Sequence, residues 1–339
     1  MKKYPRVLIA FNTIEPVKEN ADYTSQLDDK DWQTEKDIIN AIKDNGYPYA
    51  LCGLYDSIDP LLSAITAFKP DIVFNLVERF PYDTANDHNI ISLLDLLGVR
   101  YTGCDPKGLM LCKDKGLSKK LLSFHRIEVP EFTTLLRGKK IRRPKRLEFP
   151  IFIKPIGEEA SRGIAQSSFV DNDQQFTERV QYIHEKLDLD AIAEEYIEGR
   201  ELYISVLGNE RVEVFPVREL KFRDVPDDEP KFASYRAKWD ENYRKRWGIK
   251  SEFSDPLPAG VKEKITKVGK KIYKLLAIRG YARLDMRLKP DGKLVFIEAN
   301  PNPMIALEED FAGSANKGGY EYRDLIKKII DLGLKAPTA

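Results

Sequence analysis

The first hundred residues alternate between short apolar runs and segments with helical periodicity, and no other feature of the sequence constrains the fold as strongly. The runs RVLIAF at 6–11 and DIVFNLV at 71–77 are typical of buried strands. Helical patterns lie between the runs and end at Asn45-Gly46, Pro70 and Gly98. Strands that alternate with helices form parallel sheets with helices packed on their faces. The pattern therefore predicts a parallel α/β unit with strands at 6–11, 47–53, 71–77 and 99–103.

The pattern changes after residue 103, and the length of 339 residues exceeds the usual size of one hydrophobic core. Two or three domains are therefore expected. Residues 111–124 predict one helix, and residues 149–155 predict a strand that leads into a glycine-flanked loop. Residues 216–260 are charged and interrupted by proline, which favours long active-site loops or a lid over a core element. The remaining predicted elements are a helix at 174–186, strands at 191–197 and 202–208, a helix at 260–277 and an amphipathic helix at 322–334.

The composition argues against several classes of partner. The 55 Lys and Arg residues balance 54 Asp and Glu residues, whereas nucleic-acid and membrane-surface binding usually require a basic excess. Three widely spaced cysteines, Cys52, Cys104 and Cys112, predict reduced and mostly buried thiols rather than disulfides or a zinc site. The N-terminal apolar run reads as a core strand rather than a signal peptide, and no apolar stretch reaches the ~18–20 residues of a membrane span. We therefore expect a cytoplasmic protein that binds neither nucleic acid nor membrane.

A predicted hairpin over residues 281–300 carries the most informative chemistry. Pro290-Asp291-Gly292 is strong turn chemistry, so residues 281–289 and 293–300 should pair antiparallel. With Lys289 and Gly292 as the ends of the turn, Arg283 should lie opposite Glu298 and Asp285 opposite Phe296. Because side chains alternate between faces, Arg283, Asp285, Glu298 and Asn300 should share one face.

Two carboxylates and an amide oxygen on one face suit magnesium, which prefers oxygen ligands. The hairpin thus predicts that Asp285, Glu298 and Asn300 bind divalent ions, with Glu298 bridging two of them. A plain surface strand with an Arg283–Glu298 ion pair is the alternative. That alternative leaves unexplained why Glu298 ends an apolar run and precedes a rigid Asn-Pro-Asn-Pro turn.

Residues that suit a nucleotide precede the hairpin. Lys154 ends a buried strand on the same face as Phe152 and leads into the loop 156–163, where flanking glycines and Ser161 could meet a phosphate. The segment Glu194 to Glu201 could place carboxylates on adenine and ribose, or it could be a hairpin with solvated acids. No Walker loop, GxGxxG fingerprint or kinase HRD set occurs, so ATP would require another nucleotide fold.

Taken in order along the chain, these motifs resemble the D-alanine–D-alanine ligase branch of the ATP-grasp superfamily. The resemblance runs from about residue 71 to residue 305. It rests on YTG at 101–103 followed by Asp114-Lys115, on Lys154-Pro155 with the Ser161 loop, on Glu194 to Glu201, on Arg283-Leu-Asp285 and on Glu298-Ala-Asn300.

The resemblance implies an α/β protein with the ATP-grasp fold, α+β in its grasp domains and preceded by an N-terminal parallel-sheet domain. The expected division is an N-terminal domain at 1–106, a central ATP-grasp subdomain at 107–201 and a C-terminal ATP-grasp subdomain with the metal site at 202–339. ATP would be held between the last two. The resemblance alone suggests a homodimer.

The resemblance also implies roles for individual residues. Lys115, Lys154 and Lys238 would bind phosphates, although Lys238 is equally consistent with a solvated loop lysine. Glu194 and the backbone of Ile197 would hold adenine, Glu201 would hold ribose, and Arg283 and Ser161 would be catalytic. Asp285, Glu298 and Asn300 would hold two Mg²⁺ ions, with Mn²⁺ as a substitute, while Glu15, Asn302 and Glu309 would face the substrates.

The implied activity is ligation of a carboxylate, on an amino acid or small peptide, to an amine. ATP would convert the carboxylate into an acylphosphate, and ADP and phosphate would be released. Two other functions stay open on the sequence: a non-catalytic ATP-binding regulatory protein, and an ATP-grasp enzyme of other chemistry. The intact RxD and ExN motifs argue against loss of catalysis, because a degenerate site would be free to lose those charges.

Several positions depart from the family pattern. The stretch from Ala10 to Glu15 lacks paired glycines, Val77-Glu78 replaces a His-Gly, Ala160-Ser161 replaces paired serines, and Met304 replaces a glycine. Glu308-Glu309-Asp310 stands where small or hydroxyl residues receive the acceptor's carboxylate. Three acids would repel a carboxylate and attract a cation, which predicts an acceptor other than D-alanine that carries an extra amine. Acids that favour a helix N-terminus are the alternative.

Overall fold

A computed structural model describes residues 4–17, 21–81, 86–157, 161–226 and 229–337. Its N-terminal sheet is parallel, with strand order β2-β1-β3. The strands are β1 (Val7–Asn12), β2 (Tyr49–Leu54) and β3 (Ile72–Leu76). The helices of this part are α1 (Thr24–Leu27), α2 (Gln33–Asp44), α3 (Asp59–Phe68) and α4 (Asp87–Leu96). The predicted parallel sheet is thus confirmed, although the predicted fourth strand is only a single bridge between Tyr101 and Val73.

The middle of the chain forms an antiparallel sheet of order β4-β7-β5-β6. Its strands are β4 (Phe132–Leu135), β5 (Ile151–Pro155), β6 (Phe169–Val170) and β7 (Ala191–Glu195), and its helices are α5 (Pro106–Lys113), α6 (Lys115–Phe124) and α7 (Asp173–Lys186). The single helix predicted over 111–124 was wrong. Asp114 lies outside helical geometry and caps α6, since its side chain accepts hydrogen bonds from the backbone of Gly116 and Leu117.

The third sheet has the order β11-β10-β8-β12-β13, with β9 also paired to β8. Its strands are β8 (Arg200–Gly208), β9 (Val212–Val214), β10 (Arg218–Phe222), β11 (Ile249–Phe253), β12 (Gly280–Leu288) and β13 (Leu294–Pro301). The accompanying helices are α8 (Tyr235–Trp239), α9 (Glu241–Arg246), α10 (Val261–Leu275), α11 (Asp310–Lys317) and α12 (Tyr322–Lys335).

Residues 216–260 were predicted as long active-site loops or a lid rather than a core element, and the exclusion of core elements was wrong. The segment contributes β10 and β11, which extend the third sheet, and α8 and α9, which pack on them. Ala237 of α8 and Ile249 of β11 are buried in a small cluster with Leu220 and Tyr203. Some charges of the segment are buried in ion pairs, since Glu219 is buried and accepts a hydrogen bond from Arg200 Nη2 over 2.7 Å.

The C-terminal helix connects the two ends of the chain. Ile326 and Ile330 of α12 are buried in one cluster with Val7 and Ile9 of β1 and with Ile38 of α2. Each such side chain contributes roughly 1.5–3 kcal/mol on burial. The N-terminal sheet is therefore held against the C-terminal part of the chain. The division at residues 106 and 201 stays a prediction, and β8 spans the second of these boundaries.

No helix within the described ranges is both long and apolar enough to cross a membrane.

Candidate active site

The hairpin of β12 and β13 places the predicted metal ligands side by side. Asp285 lies directly opposite Glu298, and Arg283 lies opposite Asn300. The predicted pairing of Arg283 with Glu298 and of Asp285 with Phe296 was wrong. The four polar side chains nevertheless share one face, because directly opposed residues in an antiparallel pair point the same way.

A β-bulge explains why the four polar side chains share one face although the predicted register was wrong. The turn contains three residues, since the backbone of Lys289 donates to the carbonyl of Lys293 over 2.9 Å. This loop places Phe296 opposite Met286, a register in which Glu298 would point to the wrong face. The register shifts between Asp285 and Met286, so Ile297 becomes the extra residue and Glu298 returns to the face of Asp285.

Charge is concentrated at this face. Asp285 is 4% exposed and accepts hydrogen bonds from Arg283 Nε at 2.7 Å and Arg283 Nη2 at 2.9 Å. Asn300 Nδ2 donates to the same carboxylate over 3.2 Å. The alternative of an Arg283–Glu298 surface pair therefore does not describe the hairpin, since Arg283 pairs with Asp285.

Burial and neighbouring charges set the protonation of these groups. Burial raises the pKa of Asp285, against the influence of Arg283. Burial opposes ionisation of Glu298 as well, but the nearby Lys115, Lys154 and Lys238 hold its pKa well below the usual range. Glu298 is therefore an ionised oxygen donor.

A cavity of about 620 Å³, open solvent included, lies beside the hairpin between the second and third sheets. Most of the predicted nucleotide residues and two predicted metal ligands line it: Lys154, Ser161, Glu194, Ile197, Glu201, Lys238, Asp285 and Glu298. The predicted residues Lys115, Arg283 and Asn300 lie outside this wall. Lys115 is buried and Arg283 and Asn300 flank Asp285, so all three adjoin the site through their neighbours.

Apolar side chains line part of the same cavity. The rings of Phe152 and Phe232 meet edge to face at a centroid distance of 4.8 Å, and Ile164 and Ile297 line the same cavity. A slot of this kind suits a flat heteroaromatic base. Phe152 was predictable from strand alternation, whereas Phe232 comes from a segment that carried no periodic signal.

Glu194 lies between two buried lysines. Lys119 Nζ is 2.9 Å from Glu194 Oε1, and Lys154 Nζ is 3.1 Å from Glu194 Oε2. Burial lowers the pKa of Lys119 to about 8, in opposition to Glu194. Burial likewise disfavours the charge of Lys154, but Glu194 and Glu298 raise its pKa above the ordinary value. Sequence reasoning missed Lys119, although its spacing of four from Lys115 places both lysines on one face of α6.

Glu201 is held by a second residue that sequence reasoning missed. Arg287 lies opposite Glu201 in the pairing of β12 with β8, and its Nη2 is 2.7 Å from Glu201 Oε2. Tyr203 donates a hydrogen bond to the other carboxylate oxygen over 3.0 Å. Alternation along β12 places Arg287 on the face of Arg283 and Asp285, so a signal for it existed in the sequence.

The Ser161 loop meets the segment before α8 over the cavity. Ser161 has φ of 61° and its hydroxyl donates to the carbonyl of Ala233 over 2.8 Å. The backbone of Tyr235 donates to the carbonyl of Ile164 over 3.1 Å. Lys238 follows in α8 and lines the cavity. Residues 158–160, which include the predicted Ala160 of this loop, lie outside the described residues.

The residues predicted to face the substrates, Glu15, Asn302 and Glu309, do not line the cavity. Glu15 is exposed in the loop after β1. Asn302 has φ of 50°, and its side-chain oxygen accepts a hydrogen bond from the backbone of Cys104 over 2.8 Å. This contact directs the amide to a chain junction rather than to the cavity.

The acidic segment 308–310 does not act as one cluster. Glu309 occupies the N-cap position of α11, and burial, together with Asp310, raises its pKa. Asp310 Oδ1 lies 2.7 Å from Arg218 Nε, so one of the three acids is neutralised within the protein.

Among the described residues, His, Cys, Asp and Glu side chains alone do not form a metal site. In the described part of the chain, no group of three or more His, Cys, Asp and Glu side chains is arranged to hold a metal ion. Asp285 and Glu298 supply two carboxylates and Asn300 an amide oxygen, which is the donor set of an ion completed by phosphate oxygens and water.

Comparisons with known proteins point to one family of ligases. The family model described as D-ala D-ala ligase C-terminus matches residues 121–331. The D-alanine--D-alanine ligase of Thermotoga maritima is 28% identical over 302 residues, which cover 86% of this chain and 89% of that protein. An uncharacterized protein, y4sG, of Sinorhizobium fredii is 28% identical over 309 residues, 87% of this chain and 85% of that protein.

Solved structures match over almost the full chain. The D-alanine--D-alanine ligase of Bacillus anthracis complexed with ATP has a TM-score of 0.75 at 21% identity and covers 98% of both chains. The VanG D-Ala:D-Ser ligase of Enterococcus faecalis has a TM-score of 0.69 at 19% identity, covering 97% of this chain and 99% of that one. These matches confirm the predicted ATP-grasp fold.

Proposed function

The chain belongs to the D-alanine–D-alanine ligase family and is an ATP-dependent ligase that forms carbon–nitrogen bonds, and from this premise we propose that it joins an amino acid or small peptide carboxylate to an amine through an acylphosphate. The observation that carries the proposal is the shared face of Asp285, Glu298 and Asn300 at the edge of a cavity that Lys154 and Lys238 also line. Divalent-ion ligands and phosphate-binding cations thus converge where a nucleotide's terminal phosphates would lie.

Each part of a nucleotide has a proposed partner in or beside the cavity. Phe152, Phe232 and Ile297 enclose the base, and the backbone of Ile197 and the carboxylate of Glu194 lie at its polar edge. Glu201, oriented by Arg287, receives the ribose hydroxyls. Lys154 and Lys238 bind the phosphates. Lys115 adds positive charge near Glu298.

Two magnesium ions fit the donor set of Asp285, Glu298 and Asn300, and manganese would fit the same oxygens. When bound, the ions neutralise the charge that develops on the transferred phosphoryl group. Glu298, whose pKa the nearby Lys115, Lys154 and Lys238 hold low, would supply carboxylate oxygens to the ions. Asp285 already accepts two hydrogen bonds from Arg283, which orient its carboxylate.

The reaction follows from these positions. An oxygen of the substrate carboxylate attacks the γ-phosphorus of ATP, the bond to the β,γ-bridging oxygen breaks, and ADP leaves. The amine nitrogen then attacks the acylphosphate carbonyl and loses a proton, and inorganic phosphate leaves. Arg283, with its guanidinium 4.6 Å from the ring centroid of Tyr203, stabilises the oxyanion of the tetrahedral intermediate. Ser161 closes the phosphate loop over the nucleotide.

The acceptor end of the site is acidic at Glu309. Because Asp310 is paired with Arg218, preference for a cationic acceptor rests on Glu308 and Glu309 rather than on three acids. Glu15 and Asn302 stay candidate substrate residues on the family pattern alone. By the same analogy, we infer that the enzyme works in the cytoplasm as a homodimer.

Hydroxylamine trapping tests the proposed chemistry. The protein is incubated with ATP, MgCl₂ and hydroxylamine across a panel of D- and L-amino acids, small peptides and diamines. We expect ADP release together with a hydroxamate for the true carboxylate donor, because hydroxylamine captures the acylphosphate. ADP formation without hydroxamate for any donor would contradict the acylphosphate. Efficient synthesis of D-alanyl-D-alanine would contradict a cationic acceptor.

A further inference from the structure

Lys119 is a fully buried lysine that does not belong to the cavity wall. It lies on α6, its side chain is 0% exposed, and its Nζ makes two short contacts. One is to the backbone carbonyl of Ile297 at 2.6 Å, and the other is to Glu194 Oε1 at 2.9 Å. Lysines are rarely buried in full unless they are paired, because removing the ammonium group from water is costly. The two contacts therefore indicate a specific use of this charge.

The contact with Ile297 stabilises the bulge that sets the metal face. Ile297 is the extra residue of β13 between Phe296 and Glu298. A bulge disrupts the ladder locally, and a partly buried carbonyl at such a point needs another donor. Lys119 supplies that donor. Without the bulge, Glu298 would leave the face of Asp285, so the contact fixes the position of a predicted metal ligand.

The contact with Glu194 controls the charge available to phosphate. The carboxylate of Glu194 lies between Lys119 and Lys154, which is 3.1 Å away on its other oxygen. If Lys154 were the sole partner of Glu194, the carboxylate of Glu194 would neutralise the positive charge of Lys154. Because Lys119 offsets the charge of Glu194, Lys154 keeps a net positive field for the phosphates.

We propose that Lys119 is the positioning residue that fixes the nucleotide carboxylate Glu194 and the metal-binding strand β13 relative to each other. The inference rests on the proposed function, since it assigns Lys119 to the same ATP and metal site. Lys119 touches no reacting atom. It acts through Glu194 in one sheet and through the Ile297 carbonyl in another, and α6 provides the rigid support for both contacts.

Substitution of Lys119 by methionine tests the proposal, with Lys120→Met as the matched control. Lys120 is the next residue of the same helix and is exposed. ATP binding is measured by isothermal titration calorimetry on the full chain, with and without MgCl₂, so the unknown substrates are not needed. We expect the Kd for ATP to rise about tenfold or more in K119M, and the magnesium concentration for half-maximal tightening to rise as well. K120M should bind within about twofold of the unaltered protein.

A double-variant cycle separates positioning from simple structural support. If Lys119 acts through Glu194, the variant with both Lys119→Met and Glu194→Gln should bind ATP no more than about twofold weaker than the weaker single variant. A lower unfolding temperature in K119M with unchanged ATP and magnesium affinities would overturn the proposal. Should K119M not fold, Lys119→Gln removes the charge and keeps a hydrogen-bond donor, and the same affinities decide the matter. Absence of ATP binding by the unaltered chain would instead overturn the proposed function, a result distinct from equal affinities of variant and parent.

Discussion

Replacement of Arg287 by methionine tests whether a buried ion pair holds the ribose side of the cavity. Arg287 is 6% exposed, and its guanidinium donates to three acceptors. Nη2 is 2.7 Å from Glu201 Oε2 and 2.8 Å from the carbonyl of Lys231, and Nη1 is 3.0 Å from the carbonyl of Gly199. Methionine keeps the apolar stem and removes every one of these donors.

The loss of stability in R287M follows from the polar groups that stay buried after the substitution. In the variant, the carboxylate of Glu201 stays buried, and it still accepts a hydrogen bond from the Tyr203 hydroxyl. Removing one partner of a buried pair costs roughly 3–5 kcal/mol, because the other charge is left uncompensated. The carbonyls of Gly199 and Lys231 add to this loss if water does not reach them. We therefore expect R287M to lower the free energy of unfolding by at least about 3 kcal/mol.

Urea denaturation followed by circular dichroism measures this loss. Arg236→Met is the matched control, because Arg236 pairs with Asp240 at 3.1 Å but its side chain is 67% exposed, and its loss should cost no more than about 0.5 kcal/mol. In the double variant with Glu201→Gln the buried charge disappears, so part of the stability should return. A cost below about 1 kcal/mol for R287M, or a double variant equal to the sum of the single ones, would refute the reasoning.

The remaining predictions concern metal, pH and the acidic end of the site. Glu298→Gln should raise the magnesium concentration for half-maximal ADP release at least about tenfold, and an unchanged titration would argue against a metal ligand at this position. Burial raises the pKa of Glu35 from 4.5 to about 7, so the folded state binds the proton more tightly, and stability falls as the pH rises through that window. Glu35→Gln should therefore be more stable than the parent at pH 8, on the order of 2 kcal/mol, and equal to it near pH 4, as denaturation midpoints at both pH values would show. Asp310→Asn should cost about 1 kcal/mol through loss of the Arg218 pair, and an unaltered unfolding midpoint would contradict this.

Much of the fold could be predicted because it is local in sequence. Apolar runs of 6–7 residues separated by helical patterns gave the parallel sheet, since each element has to bury its own face. The same reasoning from apolar runs and helical patterns failed for the segment 216–260. Its strands β10 and β11 are short, and they pair with each other across the intervening helices α8 and α9, so no local turn motif indicates the pairing.

The candidate site was predictable to the extent that it follows alternation along single strands. Asp285 and Glu298 were assigned to one face from the hairpin, yet the argument from turn length alone gave the wrong partners. The three-residue loop and the bulge at Ile297 each shift the register by one residue, so together they keep the same side chains on one face. The turn motif specifies neither of them. Lys119 escaped notice because its partners, Glu194 and Ile297, are 75 and more residues away.

The sequence by itself determined the class of chemistry: which residues carry carboxylates, amides and ammonium groups, and which of them alternate onto a common face. Family membership and the ATP-grasp fold follow from that order of motifs. Only the tertiary structure decided which charges meet. Asp310 is neutralised by Arg218, Glu201 by Arg287, and Glu194 by two lysines. Electrostatic energy depends on distance in space, and the order of residues along a chain does not give that distance.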